Sequence, residues 1–378
     1  MRKLVIISHT DHQRDREGRI VGWGPTVNEI NHLANRFDAI EHVACLEEGP
    51  PKGGSLPYTD DRIRLRPIPV FGGKTLRSKL SVFTTAPKVI RAVREATRDA
   101  THVQLRLPMG IGLYLLPYFI FRRRGRYVLW VKYANNWGQR NPPAGYAAQR
   151  WMLRRNLVGC KVTINGFWEG QPRHCHSFEN PCLENPEIGM GRQVMERKQY
   201  GKPFDFAFVG RLEDPKGVSR ILEALRRCDL EDIGRVHFIG DGKDVERYRS
   251  MAGFLGEKAI FHGFCNTAFV KETLESAHFF LLPTTASEGF PKALAEAACF
   301  GCIPVVSDVS SIPHYVKDGV NGFVWPAQSG IPFHDTLKKA MDTSPAYLSA
   351  IAVSGSELAS KFTFERYVER LETEIFIN

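Results

Sequence analysis

The sequence lacks any apolar run long enough to cross a membrane. The longest, GIGLYLLPYFIF at 110–121, spans 12 residues and contains Pro117, whereas a spanning helix needs about 20. It also lacks an export signature. The opening MRKLVIISHT is interrupted by Ser8 and His9 with no small-residue cleavage site after it, so it reads as a strand rather than a signal peptide. The eight cysteines are therefore expected as thiols of a cytoplasmic protein, peripheral at most to the inner face of a membrane, and not as a disulfide framework. Internal repeats and low-complexity tracts are missing. Acidic residues are scarce in one window: between Arg62 and Lys161 there are 21 Lys and Arg but only two acids, Glu95 and Asp99.

What is present describes an ordinary globular chain. At 378 residues, 43% hydrophobic and 24% charged, it can bury two cores of usual size. The net charge of +10 is divided unevenly. Residues 1–200 carry 32 basic and 17 acidic side chains, and 201–378 carry 19 and 24. A basic half of this kind fits an acidic partner: a phosphorylated substrate, an anionic membrane surface or a nucleic acid. No RNA- or DNA-binding motif and no stacking series of aromatics accompanies it, which argues against nucleic acid.

Both halves alternate apolar strand runs with helical patterns, the signature of parallel sheets with crossover helices. The first half offers KLVIIS (3–8), the Gly-rich Gly22-Trp-Gly-Pro25, a helix from Thr26 to Phe37, HVACL (42–46), a turn-rich loop at 49–61 and a helix near 81–98. HVQLRL (102–107), a helix at 111–122 and YVLWVKYA (127–134) follow. The second half restarts with FDFAFVG (204–210), a helix at 218–227, RVHFIGDG (235–242), a helix near 243–255, AIFHGF (259–264) and a helix at 267–276. It closes with HFFLLPT (278–284), a helix at 291–300, IPVVSD (303–308) and GFVW (322–325). Two tandem units imply an α/β chain of two Rossmann-like domains facing across a cleft. The domains are expected at 1–185 and 186–355, with the Pro- and Gly-rich stretch 179–203 as linker. An amphipathic helix at 356–376 needs a surface to cover.

One constellation carries chemistry. In SEGFPKALAEAACFGCIPVV (287–306) a loop leads to Pro291 at the first helical position, so the amides of Gly289 and Phe290 and of the first turn converge on a helix N-terminus that suits a phosphate. Glu288 stands at the mouth of this site. Glu296, farther along the helix, is placed to accept from vicinal hydroxyls. GRLEDPKG (210–217) leaves the first strand of the second half, and Arg211 and Lys216 put two cations at the C-terminal sheet edge, where open α/β sheets bind ligands. Phosphate binders beside polyol binders ask for a nucleotide sugar. His174-Cys-His176 with Cys182 has metal-ligand residue types, but its spacing matches no standard zinc motif. Cys299 and Cys302 read as packing.

GRLEDPKG, FIGDG, FHGF, SEGFPKALAEAACFGCIPVVSD and VKDGVNGFV, in this order over about 204–326, resemble the donor domain of family 4 retaining glycosyltransferases of the GT-B fold. The resemblance implies a nucleotide-sugar donor, favouring UDP, and a glycan or lipid-linked acceptor in cell-envelope polysaccharide or glycolipid biosynthesis, with no cofactor and no metal. It implies that Gly210, Arg211 and Lys216 hold the donor diphosphate, Glu288 with Gly289, Phe290 and Pro291 the sugar and phosphate, and Glu296 the ribose. Glu288, Arg211 and Lys216 are the catalytic candidates, and Gly24 would approach the donor phosphates from the first domain. The resemblance also implies that the 356–378 helix crosses back to that domain, which would bind the acceptor. Two departures stand out. Ser310-Ser-Ile-Pro-His314 replaces the family's Gly-Gly-Ile-Pro-Glu, and Lys132-Tyr-Ala-Asn-Asn136 stands where many members have a histidine. A nucleotide-sugar epimerase of the same fold, and an anionic-surface or nucleic-acid binding module, are the alternatives to test.

Overall fold

A computed structural model describes residues 1–73, 75–122 and 126–377. Two compact units emerge, Met1–Phe178 with Tyr367–Asn378, and Glu179–Arg366. The boundaries differ from the expected 185/186 and 355/356. Residues 182–183 belong with the second unit because the amides of Cys182 and Leu183 both donate to the Phe362 carbonyl, at 2.9 and 3.2 Å. Residues 356–366 stay there because Leu358, Ala359 and Phe362 lie in its core.

The strands of the first unit are β1 (Lys3–Arg14), β2 (Ile20–Trp23), β3 (Ala39–Leu46), β4 (Ser55–Pro57), β5 (Ile63–Ile68), β6 (His102–Leu107), β7 (Val128–Tyr133), β8 (Lys161–Ile164) and β9 (Cys175–Ser177). Among the described residues they form one sheet whose parallel part runs β5-β3-β1-β6-β7-β8-β9. The end of β1 continues past the sheet to pair antiparallel with β2, His12 opposite Gly22, and β2 pairs antiparallel with β4. Alternation along β1 feeds two cores: Val5 and Ile7 face one side with Val103 and Leu105, and Leu4 and Ile6 face the other with Trp130, Tyr367 and Leu371. Period-two burial on both faces is what a central parallel strand requires.

The second unit contains β10 (Phe204–Val209), β11 (Ile233–Ile239), β12 (Ala259–Gly263), β13 (Phe279–Leu282), β14 (Ile303–Ser307) and β15 (Phe323–Trp325). They form a six-stranded parallel sheet in the order β12-β11-β10-β13-β14-β15. The order reverses direction between β10 and β13, and the C-terminal ends of the two strands on either side of such a reversal leave the crevice where ligands bind.

Three expectations are corrected. The expected linker 179–203 contains a 13-residue helix, Asn185–Arg197, opened by Pro186 and a reciprocal cap between Glu184 and Glu187. Gly191 inside it is a packing residue, since a Cβ there would strike the Cys299 carbonyl. The expected single helix at 356–376 is instead the end of Pro345–Ala359, a short turn Ser360–Phe362, a helix Phe364–Arg370 and a wide turn Leu371–Ile375. The helix near 81–98 is two, Leu76–Thr84 and Ala86–Ala96, divided at Thr85 ahead of Pro87.

The last segment is anchored to the first unit by specific bonds. Arg2 holds Glu372 with two parallel bonds of 2.8 Å, and its guanidinium lies over the rings of Phe37 and Phe376. Lys161 Nζ donates to the carbonyls of Glu374 and Ile377, at 2.9 and 2.7 Å, the arrangement a cation takes at a helix C-terminus.

Candidate functional site

The loop after β10 and the loop after β13 are stitched together. Thr285 N and Thr284 Oγ1 both donate to the Pro215 carbonyl, at 2.8 and 3.0 Å. Gly217 takes the left-handed conformation at φ 97°, and a Cβ there would collide with the Pro283 carbonyl. Only glycine supplies both freedoms at once. The stitching fixes Lys216, whose Nζ donates to both Glu288 oxygens at 2.5 and 2.7 Å. Their side chains are 13% and 33% exposed.

Glu288 is held at its backbone too, because its N–H donates to Ser310 Oγ at 3.1 Å. Ser310 lies at φ 57°, a region that costs an ordinary residue about 1 kcal/mol and glycine nothing. Serine occupies it here with its hydroxyl on the amide of Glu288. The neighbouring Ser311 hydroxyl is buried without a hydrogen-bond partner among the described residues.

Arg211 is placed differently from Lys216. Its side chain is 76% exposed and its guanidinium bonds Glu213 at 2.9 Å. Gly210 closes β10, its amide donating to the Ile239 carbonyl. Gly289 and Phe290 are buried; the Phe290 ring stacks on Phe362 at 4.5 Å and meets Tyr315 edge-on at 4.9 Å. Pro291 precedes the helix as its cap, and the helix runs Lys292–Cys299, one residue later than expected. Its extended ψ of 115° leaves the first helical amides to the residues after it. Glu296, half-buried one turn into that helix, has its carboxyl pushed up by burial, with Lys292 and Lys271 opposing.

Gly24 belongs to the first unit. Its amide donates to the Gly54 carbonyl at 3.0 Å, and a Cβ would come within 2.5 Å of that oxygen, so the close approach made there is to the chain's own 52–57 loop. His174 and His176 lie in the first unit and Cys182 in the second. His174 Nε2 bonds the Leu153 carbonyl, Cys182 Sγ the Lys292 carbonyl. Among the described residues no three His, Cys, Asp or Glu gather as metal ligands. Cys299 and Cys302 are buried, with thiols pushed up to about 12 by burial.

Two buried polar clusters of the first unit were not legible beforehand. Glu29 accepts from Arg106 at 2.8 Å and from Lys132 at 2.6 and 2.7 Å, and the Lys132 ammonium sits 4.7 Å from the centre of the Tyr367 ring. The second is a chain of bonds: Ser8 Oγ to His42 Nε2 (2.7 Å), His42 Nδ1 to Tyr58 Oη (2.6 Å), Tyr58 Oη to His12 Nε2 (2.7 Å), and His12 Nδ1 to the carbonyls of Thr10 and Cys45 (3.0 and 3.1 Å). Both imidazoles sit below their ordinary range, driven first by burial. Residues separated by 46 positions do not announce such a chain.

Two α/β units built on largely parallel sheets, the second reversing its strand order between β10 and β13, have the GT-B fold, and nearly the whole chain overlays on solved structures of that fold. Sucrose-phosphate synthase from Thermosynechococcus elongatus matches with a TM-score of 0.70 over 99% of this chain and 98% of that one, at 14% identity. Anabaena HepE in complex with UDP and glucose matches at 0.64 over 99% of both chains, also at 14%. Residues 192–352 match the family model of glycosyl transferases group 1. Lipopolysaccharide 1,6-galactosyltransferase of Salmonella typhimurium is 35% identical over 145 residues, 36% of this chain and 39% of that protein. The chain thus aligns with little more than a third of that curated relative.

Proposed function

We propose that the protein is a retaining hexosyltransferase that moves a sugar from a nucleotide-diphosphate sugar, UDP-linked by preference, to a glycan or lipid-linked acceptor of cell-envelope polysaccharide or glycolipid synthesis. The observation that carries the reading is the meeting of Lys216 and Glu288, 72 residues apart in sequence, at 2.5 Å beside the N-terminus of the helix Lys292–Cys299. HepE, bound to UDP and glucose, and the galactosyltransferase relative support the donor and acceptor classes.

In this mechanism Lys216, Arg211 and the helix N-terminus neutralise the departing nucleotide diphosphate in the role a metal ion would otherwise fill. The acceptor hydroxyl attacks from the same face, and the leaving phosphate oxygen takes its proton. Glu288 orients the sugar and stabilises positive charge growing at the anomeric carbon, and Glu296 accepts from the ribose hydroxyls. The first unit takes the acceptor. Its exposed Leu80, Phe83 and Phe121, with Lys79 and Arg122, suit an anionic membrane surface, toward which each cation contributes about 1 kcal/mol. Arg123, Arg124 and Gly125 of the RRRGR run lie outside the described residues. None of the described helices is long and apolar enough to cross a membrane.

A thermal-shift panel of UDP-, GDP-, ADP- and dTDP-sugars tests the donor. Stabilisation by one nucleotide class, followed by net transfer to an acceptor, is expected; interconversion of the free donor without transfer would turn the reading to an epimerase. Glu288→Gln should lower turnover about a hundredfold or more, the range seen when one group that stabilises transition-state charge is removed. An unchanged rate refutes its role.

A further inference from the structure

We propose that the Lys216–Glu288 pair is a latch on the donor site: Glu288 occupies the ammonium that the donor's diphosphate needs, so the carboxylate competes with the nucleotide for Lys216. The inference rests on the transferase reading and goes beyond it, because it gives Glu288 an effect on nucleotide affinity opposite in sign to its effect on turnover.

The geometry is specific. Both carboxylate oxygens lie on one Nζ, at 2.5 and 2.7 Å, so two of the three ammonium protons are committed. Neither partner is free to swing aside with its backbone. Pro215 is bonded to Thr284 and Thr285, Gly217 is wedged against Pro283, and the Glu288 amide is tied to Ser310. A diphosphate that reaches Lys216 therefore meets a carboxylate fixed at the same atom, and it binds only after taking over those two bonds. Like charges held at such a site oppose binding until one of them is removed. The second cation is answered in the same way, by Glu213 on Arg211, but that arginine is 76% exposed and solvent screens the competition.

The test is calorimetric titration with whichever of UDP, GDP, ADP and dTDP the wild type binds tightest, on the wild type, Glu288→Gln, Lys216→Met and the double variant. Glu288→Gln should bind the nucleotide about tenfold more tightly while sugar transfer is lost, and the gain should vanish in the Lys216→Met background. Glu213→Gln should change affinity less than twofold. Glu288→Ala, with the same expectation, stands in if the glutamine variant fails to fold by circular dichroism. Equal or weaker nucleotide binding by the folded Glu288 variants overturns the latch, as does an equal gain without Lys216, which would mark a general charge effect. If the wild type binds none of the four nucleotides, the transferase reading falls and the latch falls with it; binding without the gain refutes the latch alone.

Discussion

Replacing Tyr58 by Phe removes one oxygen and tests the hydrogen-bond chain of the first unit. The order of donors in that chain is forced. His12 Nδ1 faces two carbonyls, which only accept, so it carries the proton and Nε2 of the neutral ring must accept. Tyr58 therefore donates to His12 and accepts from His42 Nδ1–H, which leaves His42 Nε2 to accept from Ser8. The variant loses two bonds, of 2.6 and 2.7 Å, each contributing about 1 kcal/mol net, and strands a ring N–H and a ring nitrogen in the interior for about 1 kcal/mol more. A loss of about 3 kcal/mol is expected for the first unit. For a unit of this size that lowers the melting temperature by roughly 6–12 °C. Urea denaturation at pH 7.5, followed by a probe of the first unit, measures it; a change below about 1 kcal/mol would refute the reasoning that Tyr58 holds both imidazoles by buried hydrogen bonds. The same chain sets a pH dependence. Burial, with Arg106 acting on His42 and Asp11 opposing on His12, holds both folded histidines below the ordinary 6.5, so the unfolded chain binds more protons below that value. Stability is full above about pH 6.5 and is lost as pH falls toward the folded values.

Other expectations follow from single contacts. Gly217→Ala puts a methyl against the Pro283 carbonyl at a positive φ and should destabilise the second unit by about 2 kcal/mol or more in chemical denaturation; a neutral effect would mean that the two loops are not held together there. Lys198, whose ammonium caps the carbonyls of Leu274 and Phe300 at 3.2 and 3.0 Å, is pulled down by burial to about 8 from its ordinary 10.5. The unfolded chain then holds the extra proton between those values, so wild-type stability should gain as pH rises from 8 to 10.5, and Lys198→Met should lose that gain when denaturation is compared at the two ends. Arg2→Met removes the two bonds to Glu372 and should loosen the last segment, read as faster amide exchange over 367–377, while the second unit exchanges as before. Neutralising Arg122, Arg123 and Arg124 together should weaken flotation with anionic vesicles, and unchanged flotation would leave those cations as a solvated surface.

Where local pattern determines structure, it was readable. HVQLRL is β6, and the helix at 267–276 is found with the same ends, capped by Asn266 on the Phe269 amide. The strands β2, β4, β5, β8 and β9 were not read: β2 and β4 fall in glycine- and turn-rich stretches, Pro67 interrupts the alternation of β5, and KVTI and CHS offer neither a continuous apolar run nor enough alternation to stand out from loop. The helix 185–197 was hidden by Gly189, Gly191 and Pro186. Composition treats these as breakers, although the proline starts the helix and Gly191 is there for contact with Cys299. The apolar residues near 360–376 have helical spacing, yet they serve two cores. Phe362 stacks on Phe290 in the second unit, whereas Tyr367, Leu371 and Ile375 pack in the first, so one amphipathic pattern spans a break between two elements rather than a single straight helix.

The site shows the same division between motif and partner. Lys216 and Glu288 were visible as residue types at an expected sheet edge, but their mutual neutralisation was not, because charge counting treats each as a free group. The pairing changes what net charge says about this half of the chain. With 19 basic against 24 acidic residues, the region from 201 onward looks unsuited to a diphosphate. Yet its two candidate cations are each matched by a carboxylate, Glu213 on Arg211 and Glu288 on Lys216. A site built this way avoids burying an unpaired ammonium, a costly state, and its positive potential develops only as the carboxylate is displaced. Ser310 is the residue that makes such an arrangement precise. A glycine at φ 57° would keep the backbone path but lose the hydroxyl that receives the Glu288 amide. Ser310→Gly should therefore keep the fold and its melting temperature within about 2 °C, while turnover drops severalfold and nucleotide affinity moves little, because the carboxylate stays on Lys216 but loses its fixed aim. Equal turnover in the glycine variant would show that the serine is there for some other reason.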